Sequence, residues 1–173
     1  MLRYDFVLDT VRYATSKGIA VGMVTNGSLL NEQRMVALAD AGLHRIAFSL
    51  DGANEETHER IRMRGSYAKV LSNLSMCQRL KKERGYTFRV HVNSVVTRFN
   101  SEQLVTIAQM AKSFDAVAIF QPGDVPQVEQ QAGSDPAQSA TIAALAVDQN
   151  GIDNLGKEID RLLELQTGDT VVA

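Results

Sequence analysis

Thr87-Phe88-Arg89-Val90-His91-Val92-Asn93-Ser94-Val95-Val96 is the stretch that decides the fold. It reads as a strand of period two. Phe88, Val90, Val92 and Val96 fall on one side, while Arg89, His91, Asn93 and, beyond the stretch, Thr97 fall on the other. One face is apolar and the other carries hydrogen-bonding groups. A strand covered by helices on both faces would instead read as a near-continuous apolar run. The polar face is therefore either washed by solvent or lines the lumen of a barrel, whose ligands would sit at the carboxyl ends of the strands.

Working outward, the same theme repeats. Upstream, Arg45 to Leu50 reads as a strand in which Ile46, Phe48 and Leu50 alternate with Ala47, Ser49 and, just beyond, Asp51. Ile19 to Val24 reads as a further strand closed by Thr25-Asn26-Gly27, and downstream Ala116 to Phe120 reads as a fourth. Helices fill the intervals. Asp5 to Lys17 has apolar residues at helical spacing and Gly18 as its stop; Asn31 caps a helix that closes at Gly42, and Asn54 caps a short one. Ser66 is expected to cap a long helix through Val70, Leu74 and Cys77, and Ser101 to Phe114 forms another. Strands joined through helices cannot pair as hairpins, so the sheet is parallel with right-handed crossovers. The fold class is α/β.

Composition agrees with one globular unit. The 173 residues are 45% hydrophobic and 22% charged, with 20 acidic against 18 basic side chains. A net charge of -2 leaves no global footprint for nucleic acid or anionic lipid. No apolar run approaches the ~20 residues of a membrane-spanning helix, and a cytoplasmic location is expected. Residues 122–150 hold all three prolines and no Lys or Arg, and read as an acidic variable insert. Residues 151–173 read as an amphipathic helix and the start of a further segment, after a barrel portion at 1–121. With Cys77 as the single cysteine, no internal disulfide and no set of cysteine ligands for zinc or iron-sulfur can come from this chain. At helical spacing from Val70 and Leu74, Cys77 reads as a small core hydrophobe.

A set of short motifs now stands in order: Leu2-Arg3-Tyr4-Asp5; Thr25-Asn26-Gly27-Ser28-Leu29-Leu30; Ser49-Leu50-Asp51-Gly52; His58 with Ile61-Arg62 and Gly65-Ser66-Tyr67; and Val92-Asn93-Ser94-Val95-Val96 through Asn100. The series resembles the radical S-adenosylmethionine (radical SAM) enzymes over about residues 1 to 121. That resemblance implies a parallel-stranded partial (β/α)6 barrel, TIM-like and incomplete, with the strands here as its third to sixth. It also implies two cofactors: SAM, and a [4Fe-4S] cluster held by three cysteines on a loop after the first strand. One-electron cleavage of SAM would give a 5'-deoxyadenosyl radical that takes hydrogen from substrate, chemistry suited to an enclosed lumen.

By the same resemblance, the cofactor-binding residues for SAM are Thr25 and Asn26 at the end of the third strand, Ser49, Asp51 near the ribose, Arg62 near the carboxylate, and Asn93. Arg3 and His91 fall where some members contact substrate. Each has a plainer reading: Ser49, Asp51 and Asn26 as strand-end and turn residues, His91 as a hydrogen-bonded structural histidine, Arg62 as a surface charge beside Glu55, Glu56 and Glu59. The cysteine loop and the family's Gly-Gly-Glu-Pro segment do not occur in residues 1–173, and Met63 stands where a glycine commonly follows the motif arginine. The expectation is a fragment of a radical SAM domain, inactive alone, whose substrate is an unknown small molecule or peptide. The remainder of the barrel would come from the missing N-terminal part or from a partner. Two other readings compete. An aldolase-type barrel would want a lysine at a strand end or a His/Glu metal pair, and neither is present; a non-catalytic half-barrel adaptor would bind a partner without any cluster.

The fragment reading predicts an unprotected apolar edge at Ile19 to Val24, and such edges template association. The isolated chain should self-associate in size-exclusion chromatography with light scattering. A monodisperse, cooperatively unfolding monomer would count against it.

Overall fold

A computed structural model describes residues 4–122, 147, 149–164 and 171–172. In chain order it contains α1 (Tyr4–Ser16), β1 (Gly22–Thr25), α2 (Glu32–Asp40), β2 (Arg45–Ser49), α3 (Glu55–Ile61), α4 (Ser66–Arg84), β3 (Arg89–Val96), α5 (Leu104–Ser113), β4 (Val117–Pro122), α6 (Gln149–Glu164) and β5 (Val171–Val172). All strand pairs are parallel and the order across the sheet is β1-β2-β3-β4-β5. An order that advances strand by strand without reversing is the progression of a barrel wall; a doubly wound sheet would reverse at a switch point. The α/β class and the partial barrel expected from sequence are what the chain adopts. β5, at the far end, adds a strand beyond the four read from sequence.

Register fixes which residues share a face. Ile46 pairs with Met23 and Val90, and Phe48 with Thr25 and Val92. With Ala118 and Phe120 of β4 they form the helix-covered side, against Met35 and Leu38 of α2, Val70, Leu74, Cys77 and Leu80 of α4, and Ile107 and Ala111 of α5. Ile46, Phe48 and Val92 are fully buried there. Removing one large side chain from such a layer costs roughly 2–5 kcal/mol. The other side is built from Val24, Ala47, Ser49, His91, Asn93, Val117 and Ile119, placed by the same register. Along β3 this side is half-buried where the helix side is buried, so the alternation read from sequence is real.

Local chemistry places most element ends. Asn31 and Asn54 cap their helices as expected, their Oδ1 atoms accepting from Arg34 N and Thr57 N, both at 2.9 Å. Three of the boundaries that differ have a clear local cause. Ser66 is not a cap: Gly65, at φ +75°, holds the cap position, and the Ser66 hydroxyl turns to Met63 O and His58. β1 begins at Gly22, because Ile19 N bonds Ala14 O to finish α1 and Val21 O accepts from His44 N and Arg45 N. α5 begins at Leu104, because Thr97 to Ser101 forms its own turn closed by Asn100. The insert expected at 122–150 lies almost wholly outside the described residues.

α6 docks on α5 through a buried acid. Glu158 Oε2 accepts from Val105 N at 3.1 Å, satisfying a first-turn amide of α5, and its Oε1 pairs with Arg161 at 2.9 Å. Leu162 is buried one turn further on.

Gly52 marks the tightest backbone approach. A Cβ there would overlap the backbone N of His58, which cannot move aside as a side chain could. Gly52→Ala is expected to cost about 1–3 kcal/mol by overpacking, read as a lowered urea midpoint at unchanged m-value.

Candidate functional site

The carboxyl ends of β1, β2 and β3 converge on one hollow of about 710 Å³, lined by Asn26, Ser28, Asp51, Ile61, Arg62, Met63, Arg64, Gly65, Ser66, Lys69, Val95 and Thr97. The carboxyl end is where parallel α/β folds place ligands. Each wall has a local cause.

After β1 the chain turns through Thr25-Asn26-Gly27-Ser28. Thr25 Oγ1 accepts from Gly27 N at 3.0 Å, and Asn26 Oδ1 accepts from Ser28 N and Ser28 Oγ at 3.1 and 2.9 Å. Gly27 sits at φ +73°, and a Cβ on it would strike Asn73 Nδ2, which donates to Gly27 O at 3.0 Å. Left-handed backbone and close approach both call for glycine. Asn26 is thereby held in the lining of the hollow.

After β2 the chain reaches Asp51, which is wholly buried. Every polar group of Asp51 is engaged. Its N–H donates to His58 Nδ1 at 3.1 Å, its carbonyl accepts from Asn100 Nδ2 at 2.9 Å, its Oδ1 accepts from Val95 N at 2.7 Å, and its Oδ2 pairs with Arg62 Nε. Because a backbone N–H can only donate, His58 Nδ1 must be the acceptor and the ring proton of neutral His58 lies on Nε2. Nε2 donates to Ser66 Oγ at 2.9 Å, and that hydroxyl donates to Met63 O. Asn100 completes the third wall: its Oδ1 accepts from Thr97 N at 2.7 Å, and its Nδ2 also reaches Val95 O at 2.9 Å.

The side-chain balance in the hollow is cationic. Arg62, Arg64 and Lys69 line it, against one carboxylate, Asp51, which is already paired. Ile61, Met63 and Val95 supply apolar area. Such a site suits a ligand with a carboxylate and an apolar or aromatic body.

The residues picked out from sequence separate into groups. Asn26, Asp51 and Arg62 meet around the hollow. Ser49 and Asn93 are register partners on the same face as Asp51, two residues toward the amino ends of their strands. Asn93 Oδ1 is buried with no hydrogen-bond partner among the described residues, and so is His91 Nδ1 two residues lower. Thr25 pairs in register with Phe48 on the helix side and spends its hydroxyl on its own turn. Arg3 lies outside the described residues. Sequence reading had not assigned site roles to Ser28, Arg64, Lys69 or Thr97, nor to the supporting His58 and Asn100. Asn100 and His58 already stood in the motif series, but nothing in one dimension shows them bonding the Asp51 backbone.

Known proteins provide the frame for this geometry. A sequence model of the Radical SAM superfamily matches residues 1–111. The chain belongs to the radical SAM superfamily. It is 33% identical over 113 residues to an AdoMet-dependent heme synthase of Methanosarcina barkeri, covering 65% of this chain and 31% of that protein. It is 32% identical over 115 residues to a PqqA peptide cyclase of Rhodopseudomonas palustris, covering 66% of this chain and 29% of that one. Among solved structures, Streptococcus suis SuiB bound to S-adenosylmethionine superposes with a TM-score of 0.68 at 10% identity, over 96% of this chain and 35% of that chain. Native anSMEcpe with bound AdoMet gives 0.65 at 16% identity, over 98% and 44%. The chain thus spans about a third of the length of the curated relatives it matches.

Membership implies SAM and a [4Fe-4S] cluster, and the residues fit the two differently. For SAM, the hollow offers size, positive charge and the unpartnered Asn93 Oδ1 nearby. For the cluster, this chain has no donor set. Its one thiol, Cys77, is packed in the core with its pKa pushed up to about 12, first by burial, and no group of three His, Cys, Asp or Glu converges among the described residues. Among those residues, too, no helix is long and apolar enough to cross a membrane.

His58 and His91 both lie below the ordinary histidine pKa of 6.5. Burial is the first cause in each, with Arg62 adding to it at His58 against an opposing Asp51, and Arg45 and Arg89 at His91. The folded state disfavours their charged forms, so as pH falls the unfolded chain takes up protons first. Stability should be full above pH 6.5 and fall as pH drops below it toward the folded values. Urea midpoints measured from pH 7.5 to 5 should decline, and His58→Gln should flatten the slope.

Proposed function

We propose that this chain forms the SAM-binding wall of a radical SAM enzyme, working in the cytoplasm on a small-molecule or peptide substrate. The carrying observation is the hollow at the strand ends, where the buried Asp51 carboxylate pairs with Arg62 and Asn26 shares the lining. Arg62 offers its remaining guanidinium N–H groups to the SAM carboxylate, a charge-assisted contact. Asp51 acts through Arg62 as a positioning residue, while Asn26, Ser49 and Asn93 supply amide and hydroxyl groups toward the adenosine. Thr25 shapes the turn that presents Asn26. On the substrate side stand His91 and, at the amino-terminal end, Arg3.

When bound, SAM supplies the hydrogen-abstracting chemistry of the superfamily. The protein's contribution is to orient it and keep water out, and the apolar lining of Ile61, Met63 and Val95 serves the second task. Cluster ligands come from polypeptide other than residues 1–173, since the single cysteine here is locked in the core. Support also comes from relatives named as a heme synthase and a peptide cyclase, one working on a small molecule and one on a peptide by their names.

The test is titration of the chain with S-adenosylmethionine, followed by backbone amide NMR. Saturable shifts are expected at Asn26, Ser28, Asp51 and Val95. Arg62→Met should weaken binding about tenfold, the loss expected of one charge-assisted hydrogen bond. Shifts that do not saturate, or binding that is indifferent to Arg62, would overturn the assignment.

A further inference from the structure

The sheet's polar face has a second pole that the SAM site does not use. At its amino-terminal end, Arg45 and Arg89 are direct register partners on neighbouring strands, and His91 stands two residues above Arg89. Side chains in register on parallel strands share a face about 4.8 Å apart. Arg45 has a prepared seat: a Cβ on Gly22, its partner on β1, would come within 2.9 Å of Arg45 Nε and 3.1 Å of Arg45 Nη2. Glycine at that point leaves room for the guanidinium to lie across β1. Both arginines are exposed, and neither forms an ion pair with a described residue. No acid stands on this face below Asp51 in β1, β2 or β3; Asp115, just before β4, is paired with Lys81 at 2.5 Å. His91 Nδ1 is buried and has no hydrogen-bond partner among the described residues.

Two guanidinium groups on one face, Arg45 leaning over β1 and Arg89 on β3, with an imidazole nitrogen that has no hydrogen bond among the described residues, form a complement to an oxyanion. Arginine forks match carboxylate and phosphate oxygens bidentately. The separation from the cofactor end is set by the strands: four residues from Ser49 to Arg45 and from Asn93 to Arg89, or about 13 Å at ~3.3 Å per residue. We infer that Arg45, Arg89 and His91 form an anion seat for the far end of an elongated substrate bearing a carboxylate or phosphate, lying along the polar face with its reacting part toward Ser49 and Asn93. This deepens the reading of that face as the inner wall of a radical SAM site and rests on it. It narrows the substrate class to anionic molecules long enough to bridge the two poles.

The experiment titrates the chain, at low ionic strength, with glutarate in one series and inorganic phosphate in another. The readouts are the His91 ring signals and the backbone amides of Arg45 and Arg89. Saturable binding in the millimolar range is expected for at least one anion, weakening as salt is added; the stronger series identifies the carboxylate or the phosphate class. Arg45→Gln and Arg89→Gln should each weaken it about tenfold, whereas Lys17→Gln, the same charge change in the turn after α1, should not. Gly22→Ala changes no charge but intrudes on the Arg45 seat, and should weaken anion binding several-fold while leaving the S-adenosylmethionine titration intact. Absent saturation for both anions, or equal binding by the Arg45, Arg89 and Lys17 variants, overturns the seat. Loss of the SAM response with the anion response intact instead overturns the functional reading on which the seat's role depends.

Discussion

The buried Asp51 carboxylate is the constraint around which the rest of the strand-end architecture is arranged. A carboxylate with no exposure is tolerated only when its charge and lone pairs are answered, and Arg62 and Val95 N answer them from opposite sides. The ties reach three elements: α3 through His58, the turn after α3 through Arg62, and the end of β3 through Val95 and Asn100. Loops at the ends of parallel strands would otherwise move independently. Here a single side chain and its own peptide groups tie β2, β3 and α3 into one corner, and the hollow opens beside it.

This arrangement separates two demands that a binding site makes on charge. The acid is spent on protein structure, so the cations left facing the hollow, Arg64, Lys69 and the outer part of Arg62, are free to meet an anionic group on a ligand. The neutral His58 fits the same logic. A charged imidazole beside Arg62 would be repelled and would break its bond from Asp51 N, and burial holds the ring neutral. The corner is thus ordered by hydrogen bonds, while a net positive charge is left facing the hollow.

How much of this could be read in one dimension follows from what each feature depends on. The strands were readable because period-two alternation at Val90, Val92 and Val96 is imposed by burial on one side. The caps at Asn31 and Asn54 were readable because a cap is a local hydrogen bond. Ser66 misled for an instructive reason: it has the right side chain at a helix start, but His58, eight residues earlier, competes for its hydroxyl and Gly65 takes over the left-handed entry. The motif series singled out Asn26, Asp51 and Arg62, which the fold brings to one hollow. The engagement of Asp51 by Val95 and Asn100, 44 and 49 residues away, has no local signature. Lys69 and Arg64 were overlooked because a cation, whether half-buried on a helix like Lys69 or exposed in a turn like Arg64, looks the same in sequence with or without a cavity beside it.

Glu158 bears on how such a domain tolerates variation. By placing its carboxylate on the first turn of α5, α6 carries its own anchoring point, independent of the polypeptide that links it to β4. The closure entropy of a link rises only slowly with its length, so residues 123–146 could be lengthened, shortened or exchanged at little thermodynamic expense. Evolution is therefore free to rewrite that span while the barrel wall and the Asp51 corner stay put.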